Sequence, residues 1–270
     1  LDFETRLAYK PDAVEVLRRE LAHPKYVCKP IALGINTDGW QPVERRLRLT
    51  RGILETLAAC RHPVSIVTKS ALILRDLDIL AQMAKQHLVR VAVSITTLNA
   101  DLARRMEPRA ASSQRRLSVL ETLSAAGIPT AVLVAPLIPA LTDHELEDIL
   151  QAAADAGART AGYVLLRLPH EVKPLFRDWL EREEPGRAEH VFSLLRQMHG
   201  GKEYDSRFGH RHRGDGPLAD VIQQRFKIAC RRLRLDQHLP ALDSTLFQPP
   251  DRDNRQATNT SSGSVQQSLF

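Results

Sequence analysis

Short apolar runs alternate with amphipathic stretches along the first two thirds of the chain. Between the runs, apolar residues recur at helical spacing, which predicts a helix after each of the first four runs. The runs predict strands at 30–35, 63–70, 89–97, 130–136 and 160–166, and the helices are expected at about 44–59, 76–86, 113–126 and 142–156, with further helices through about Met198. Such near-continuous apolar strands are typical of a parallel sheet that is buried on both faces.

This alternation predicts an α/β fold in which the sheet curls into a full or partial barrel, with a flat doubly wound sheet as the alternative. Thr142 and Glu145 have the spacing of a capping box at the start of the fourth helix. In (β/α) barrels the active site forms at the carboxyl ends of the strands, so the polar residues there are the first candidates for chemistry.

Composition narrows the class of protein. The chain has 270 residues, 43% hydrophobic and 26% charged, which suits one large α/β domain or two small ones. No run approaches the roughly 18 apolar residues of a membrane span. Cys28, Cys60 and Cys230 are too far apart to suggest a disulfide framework, which favours a cytoplasmic location. The net charge of +6 fits either a polyanionic partner or an ordinary basic surface.

The character of the chain changes after residue 198. A loop rich in Gly, Arg and His leads to a helix at about 217–235, with Leu218, Val221 and Ile222 on its apolar stripe and basic residues on the other face. The polar stretch beyond Pro249 is expected to be disordered. We therefore divide the chain into a barrel at 1–198, a basic loop and helix extension at 199–247, and a disordered tail at 248–270.

The basic loop suggests contact with phosphate groups. Arg207, Arg211 and Arg213 are candidates for binding nucleic acid or phosphate, and a solvated surface is the alternative. Histidines also occur in this region, but the interleaved arginines would repel a cation, so no metal site is expected.

The predicted strand ends carry several polar groups. For any single Ser or Thr, the simpler interpretation is that the chain leaves a core or caps a helix. Lys69 differs, because a lysine directly after a buried strand is expected to point into the cavity shared by the strand ends and to bind an anion. The polar strand-end residues are Asn36, Thr37, Asp38, Lys69, Ser70, Ser94, Thr96, Thr97, Arg167 and His170, with Ala135 and Pro136 at the fourth end.

Three stretches resemble the radical SAM superfamily, in the branch that includes spore photoproduct lyase. They are Gly34-Ile-Asn-Thr-Asp38 with Pro42-Val-Glu44, Val67-Thr-Lys-Ser70 with Leu74-Arg-Asp-Leu-Asp78, and Val93-Ser-Ile-Thr-Thr97 followed by Glu107-Pro-Arg109. The resemblance covers about residues 3–235, and Ser206-Arg-Phe-Gly209 looks like a signature of one subgroup. It implies a partial (β/α)6 barrel in which a [4Fe–4S] cluster reduces S-adenosylmethionine to a 5′-deoxyadenosyl radical.

The resemblance also implies roles for four residues. By position, Thr37, Lys69 and Ser94 would hold S-adenosylmethionine, chiefly its carboxylate and ribose, and the backbone of Ala135 would approach the adenine. The chemistry agrees, since an ammonium suits a carboxylate and small hydroxyls suit a ribose.

Two departures from the family pattern affect the expected activity. The chain lacks the Cys-x3-Cys-x2-Cys loop that holds the cluster, so we expect the cluster ligands and the first strand upstream of Leu1, and this chain to be inactive alone. Where the lyase has a hydrogen-donating cysteine, at the end of its second strand, this chain has Ile35, so the substrate stays open.

Two other functions remain in view. The chain could be a non-catalytic DNA-associated module that has lost the cluster, or a different barrel enzyme in which Lys69 forms an imine. Separately, Gln266-Gln267-Ser268-Leu269-Phe270 resembles the peptide that docks on the bacterial sliding clamp. Leu269 and Phe270 would fill an apolar pocket while Gln266 bonds at its rim, and chance is the alternative.

Overall fold

Five parallel strands form the centre of the molecule. A computed structural model of the chain describes residues 7–202 and 212–251. In these residues one sheet has the strand order β1-β2-β3-β4-β5, the same as the chain order. Parallel crossovers are right-handed, so crossovers that all step in one direction place their helices on one face of the sheet. That is the arrangement of a barrel, and the predicted α/β partial barrel is confirmed. The strands are β1 (Ile31–Leu33), β2 (Val64–Thr68), β3 (Val89–Ile95), β4 (Thr130–Leu137) and β5 (Thr160–Leu165).

The helices largely follow the predicted order. They are α1 (Ala13–Leu21), α2 (Glu44–Leu47), α3 (Leu49–Ala59), α4 (Leu77–Ala84), α5 (Ala100–Met106), α6 (Ser113–Ala125), α7 (Leu146–Asp155), α8 (Val172–Glu183), α9 (Ala188–Met198) and α10 (Pro217–Arg232), with 3-10 turns at Ala71–Asp76 and Asp143–Glu145. Within 7–202 and 212–251, no helix has both the length and the apolar character needed to cross a bilayer.

Three details of the helices differ from the prediction. The helix expected at 44–59 is broken at Arg48, which has the left-handed φ of 54°. The short helix α5 was not predicted, although the Asn99 side chain caps it by accepting from the backbone of Asp101 and Leu102. The predicted capping box is wrong: Thr142 accepts from the Ile138 backbone at 2.9 Å, and Glu145 accepts from Leu98 N at 2.6 Å.

The two faces of the sheet differ in burial. One face packs against the helices and carries the apolar residues of β2, β3 and β4, such as Ile66, Val91 and Val132, each at most 1% exposed. The opposite face carries mostly small residues that are half-buried, with Arg90 exposed on β3. The expectation that the strands are buried on both faces is therefore wrong for the described residues, because the concave inner face lacks an apolar layer packed on it.

The helix α10 packs on α7 and α9, and its orientation corrects the predicted stripe. Ile222, Ala229 and Cys230 are buried, whereas Val221 is 50% exposed. Arg225 does not join the basic face, because it donates to Glu147 of α7 at 2.6 Å. An ion pair thus fixes the rotation of α10 on its neighbour.

The chain after α10 returns along the amino-terminal edge of the sheet. Asp236 forms an antiparallel bridge with Thr160 at the start of β5. Asp243 N then donates to His87 O, just before β3, at 3.1 Å, and Gln248 N donates to Cys60 O, just before β2, at 2.8 Å. We call residues 236–248 the return segment; it covers the end of the barrel opposite to the candidate site.

Candidate cofactor-binding site

A cavity of about 270 Å³ lies at the carboxyl ends of the strands. Three of the four residues predicted for cofactor binding, Lys69, Ser94 and Ala135, lie on its wall. The fourth, Thr37, is exposed on the loop after β1 and does not line this cavity. The remaining lining residues are Pro136, Val164, Leu165, Leu166 and Arg167, so the cavity has one polar side and one apolar side.

Asp38 sets the backbone from which Lys69 projects. Its carboxylate accepts from the backbone N–H of Lys69 at 2.7 Å, from the hydroxyl of Thr68 at 2.9 Å, and from the backbone N–H of Trp40 at 2.9 Å. The loop after β1 is thereby tied to the end of β2. The sequence marked Asp38 as a polar strand-end residue and as part of a family-like stretch without giving it a role, whereas in the structure its carboxylate joins the loop after β1 to the end of β2.

The buried charge of Asp76 also stabilises the loop after β1 through Trp40. The Asp76 carboxylate is fully buried and accepts from the Trp40 indole at 2.8 Å, from Arg75 at 2.9 Å and from Arg51 at 3.2 Å. Buried carboxylates are tolerated when cations and hydrogen bonds satisfy them, as they do here. Arg51 of α3 also pairs with Asp78 at 2.8 Å, so this arginine joins α3 to the start of α4.

Glu107 joins the Lys69 ammonium to a second cation. One carboxylate oxygen contacts the Lys69 ammonium and lies 3.2 Å from Thr96 Oγ1, and the other accepts from Arg116 at 2.6 Å. Burial acts most strongly on the pKa of Glu107 and raises it, but the charges and hydrogen bonds of Lys69 and Arg116 together outweigh burial. The pKa of Glu107 therefore lies below its ordinary value, and the group is ionised at neutral pH.

Arg116 links helix α6 to the end of β3. Its side chain is 2% exposed, and it donates to the Ala111 carbonyl at 2.7 Å and to the Ser94 carbonyl at 3.0 Å besides Glu107. Sequence reasoning gave Arg116 no role, because a lone arginine in a helix is usually solvated. The Glu107-Pro-Arg109 stretch was the available signal for the pairing, since it marked Glu107 without saying what it binds.

The hydroxyls of Ser94 and Thr96 at the end of β3 share one acceptor. The Ala135 carbonyl accepts from Ser94 Oγ at 3.0 Å and from Thr96 Oγ1 at 2.9 Å. A carbonyl oxygen has two acceptor positions, so a ligand cannot also bind this oxygen well. The Ser94 hydroxyl oxygen keeps its lone pairs, so Ser94 can accept a hydrogen bond from a ligand, whereas Thr96 is 1% exposed and is not among the residues that line the cavity.

The other predicted contacts fall only partly within the structure. Arg207, Arg211, Gln266, Leu269 and Phe270 lie outside the described residues. Arg213 is exposed, and the carbonyl of the preceding residue, His212, accepts from Leu165 N at 2.9 Å. Arg213 is therefore close to the end of β5 and to the wall of the cavity.

The described residues do not fit an iron–sulfur cluster. In 7–202 and 212–251 no three His, Cys, Asp or Glu residues come together as metal ligands, and the three cysteines are unbridged. Burial raises the pKa of the Cys60 thiol, and burial with the nearby Asp236 raises that of Cys230 to about 11. Cluster ligands are thiolates, which these environments disfavour.

Solved structures of spore photoproduct lyase share this fold. The lyase complexed with dinucleoside spore photoproduct has a TM-score of 0.55 and 16% identity, over 82% of this chain and 63% of that chain. A variant of the lyase with bound AdoMet and dinucleoside spore photoproduct has a TM-score of 0.55 and 15% identity, over the same shares of the two chains. At this level of identity the likeness shows the fold alone.

Sequence relatives and a family model give the family. An uncharacterised protein of Mycobacterium tuberculosis is 37% identical over 198 residues, 73% of this chain and 58% of that protein. An uncharacterised protein of Methanocaldococcus jannaschii is 32% identical over 126 residues, 47% of each. This chain thus spans less than two thirds of the length of these curated relatives. The model of the radical SAM superfamily matches residues 7–153, more than half of the chain. The chain belongs to the radical SAM superfamily.

Proposed function

We propose that this chain binds S-adenosylmethionine as part of a radical SAM enzyme. In that chemistry S-adenosylmethionine is the source of a 5′-deoxyadenosyl radical, which removes a hydrogen atom from the substrate. The observation that carries the proposal is that Lys69, Ser94 and Ala135 line one cavity. Because the described residues do not fit a [4Fe–4S] cluster, the proposal gives them cofactor binding and leaves cluster ligation to residues outside them.

The chemistry of the cavity matches that ligand. The ammonium of Lys69 suits the carboxylate of S-adenosylmethionine, and the free lone pairs of the Ser94 hydroxyl suit a ribose hydroxyl. The apolar side, with Pro136, Val164 and Leu166, suits the adenine ring. Its volume is slightly below the roughly 300–1,000 Å³ of typical ligand pockets, so part of the ligand would extend over the open inner face of the sheet.

The test is the affinity for S-adenosylmethionine of protein purified without oxygen, measured by equilibrium dialysis with radiolabelled ligand. Lys69→Met keeps the length of the side chain and removes its charge. We expect the dissociation constant to rise tenfold or more, since a charge-assisted contact contributes roughly 1.5–3 kcal/mol.

Lys85→Met is the matched control, because Lys85 is exposed at the end of α4, away from the cavity. An unchanged affinity in Lys69→Met would remove Lys69 from the site. Enzymatic function also requires that a protein extended to include the cluster ligands release 5′-deoxyadenosine when it is reduced.

Nucleic acid is the proposed substrate class. It is supported by the exposed Lys227, Arg231 and Arg232 of α10 and by Arg213 near the cavity. A lyase structure of the same fold holds a dinucleoside photoproduct, and by analogy this supports a nucleotide-containing substrate for the present chain. The second candidate function is a non-catalytic DNA-associated module. A protein extended to include the expected cluster ligands distinguishes the two: a non-catalytic module would show salt-dependent DNA binding with no cleavage of S-adenosylmethionine, whereas the enzyme would show both.

We also propose that the C-terminal peptide docks on the bacterial sliding clamp. The supporting pattern is Gln266-Gln267-Ser268-Leu269-Phe270 after a polar stretch. A fluorescent peptide of residues 258–270 should bind purified clamp with modest affinity, because an ordering cost accompanies binding. The same peptide with Leu269 and Phe270 changed to Ala should not bind, and equal curves for the two peptides would end the proposal.

A further inference from the structure

Glu107 occupies a place in the site that cofactor binding alone does not explain. Its side chain is only 14% exposed and lies between two cations, Lys69 and Arg116. We propose that Glu107 is a positioning residue that holds the Lys69 ammonium towards the cavity. The inference rests on the proposed function, because the group that Lys69 would meet there is the carboxylate of S-adenosylmethionine.

The hydrogen-bond geometry of Lys69 supports this role. An ammonium has three donors, and here one is directed to Glu107 and a second to Thr96 Oγ1 at 3.4 Å. One donor is left for a ligand. A free lysine side chain loses rotamer entropy when it is immobilised. Lys69 is 31% exposed and would otherwise lose that entropy on binding the ligand, so prior fixation by Glu107 favours binding.

Glu107 can position Lys69 because it is itself fixed. Glu107 lies at the carboxyl end of α5, and its second oxygen accepts from Arg116. Arg116 in turn donates to the Ala111 and Ser94 carbonyls. The contacts therefore run from α6 through Arg116 and Glu107 to Lys69 at the end of β2. Because Ser94 both lines the cavity and binds Arg116, the same contacts also fix the second predicted ligand-binding residue.

The charges around Lys69 determine in which direction the ligand affinity should change when Glu107 is removed. Lys69, Glu107 and Arg116 together carry a net charge of +1, so an anionic ligand is still attracted. If Glu107 only competed with the ligand for Lys69, its removal would strengthen binding. If Glu107 positions Lys69, its removal weakens binding.

The experiment is a double-mutant cycle on the affinity for S-adenosylmethionine. We expect Glu107→Gln to raise the dissociation constant about fivefold and Glu107→Asp, which keeps the charge, to recover part of the loss. Adding Glu107→Gln to Lys69→Met should cause no further loss, because Glu107 acts through Lys69. Glu121→Gln on the exposed side of α6 is the control. Tighter binding in Glu107→Gln, or additive losses in the double variant, would overturn the proposal.

A second measurement does not depend on the ligand. The rates at which acetic anhydride modifies Lys69 and Lys85 are compared by mass spectrometry in the unliganded protein. We expect Glu107→Gln to increase the rate at Lys69 about threefold or more relative to Lys85, because a released amine is more accessible. An unchanged ratio contradicts the positioning role. An increased ratio in a protein that does not bind S-adenosylmethionine supports the pairing and instead removes the proposed function. Melting temperatures of both Glu107 variants establish that the compared proteins are folded.

Discussion

The two ends of the sheet are built from opposite kinds of buried polar groups. At the carboxyl end, Lys69, Glu107 and Arg116 are ions that are partly or wholly removed from water. At the amino end, His62 is fully buried and accepts from the Tyr26 hydroxyl at 2.7 Å, and the Phe247 ring of the return segment packs on both. Burial lowers the pKa of His62 and raises that of Tyr26, so both stay neutral near pH 7.

The difference shows that the groups that stabilise one end of the sheet are distinct from the charged groups of the candidate site at the other end. Neutral aromatic groups close the amino end with little electrostatic cost, while buried ions at the other end are costly unless all their partners are present. Lys69, Glu107 and Arg116 at the carboxyl end therefore depend on their mutual ion pairs and hydrogen bonds. Three changes test this contrast, and we take them from the largest expected effect to the smallest.

Replacing Arg116 should have the largest effect. Arg116→Met removes three hydrogen bonds and leaves the largely buried Glu107 with one cation, so we expect the free energy of unfolding to fall by about 3–5 kcal/mol. Urea unfolding followed by circular dichroism measures it. Arg115→Met, on the exposed side of the same helix, should change the free energy of unfolding by less than about 0.5 kcal/mol. Equal effects of the two changes would contradict the ion cluster described above.

Replacing Phe247 should weaken the amino end alone. The ring is half-buried, so Phe247→Ala should lower the free energy of unfolding by about 1–3 kcal/mol, less than the 3–5 kcal/mol of a core phenylalanine. The affinity for S-adenosylmethionine, measured well below the melting temperature, should not change. A loss of affinity similar to that of Lys69→Met would show that the two ends are coupled.

Acid should affect the two ends in different pH ranges. The pKa of His62 is lower folded than unfolded, so its contribution to stability is present above about pH 6.5 and is lost as the pH falls below that value. The pKa of Glu107 is also lowered on folding, so its contribution is present above about pH 4.5 and is lost only below it. The effect of His62 is limited to about 1.4 kcal/mol per pH unit.

The measurement is the free energy of unfolding at pH 7.5, 6.5 and 5.5 for the natural chain and for His62→Gln, whose amide can still accept from Tyr26. The natural chain should lose more stability across this range than the variant does. Parallel curves would mean that His62 is not buried in its neutral form.

Local patterns predicted the strands better than the site. The bounds of β2 to β5 were predicted to within about two residues. The composition of a run such as Val64–Thr68 is enough by itself to favour a strand. The break at Arg48 and the rotation of α10 were missed, since neighbouring elements decide them. Strand ends and family resemblance named Lys69, Ser94 and Ala135, which line one cavity in the structure, and their binding of a cofactor stays a prediction. The roles of Glu107 and Arg116 could not be predicted, because they arise where α5, α6 and the ends of β2 and β3 meet.

The return segment sets the position from which the C-terminal tail leaves the described part of the molecule. Gln248 is fixed just before β2, at the end of the barrel away from the cavity. The chain from Asp251 to Gln266 spans at most about 50 Å when fully extended. A clamp bound at Gln266, Leu269 and Phe270 would be tethered from the end of the molecule opposite to the cavity, so docking would require no contact with the cavity. Cofactor could then exchange while the protein stays attached, and the free energy of coupling between the two binding events should be close to zero.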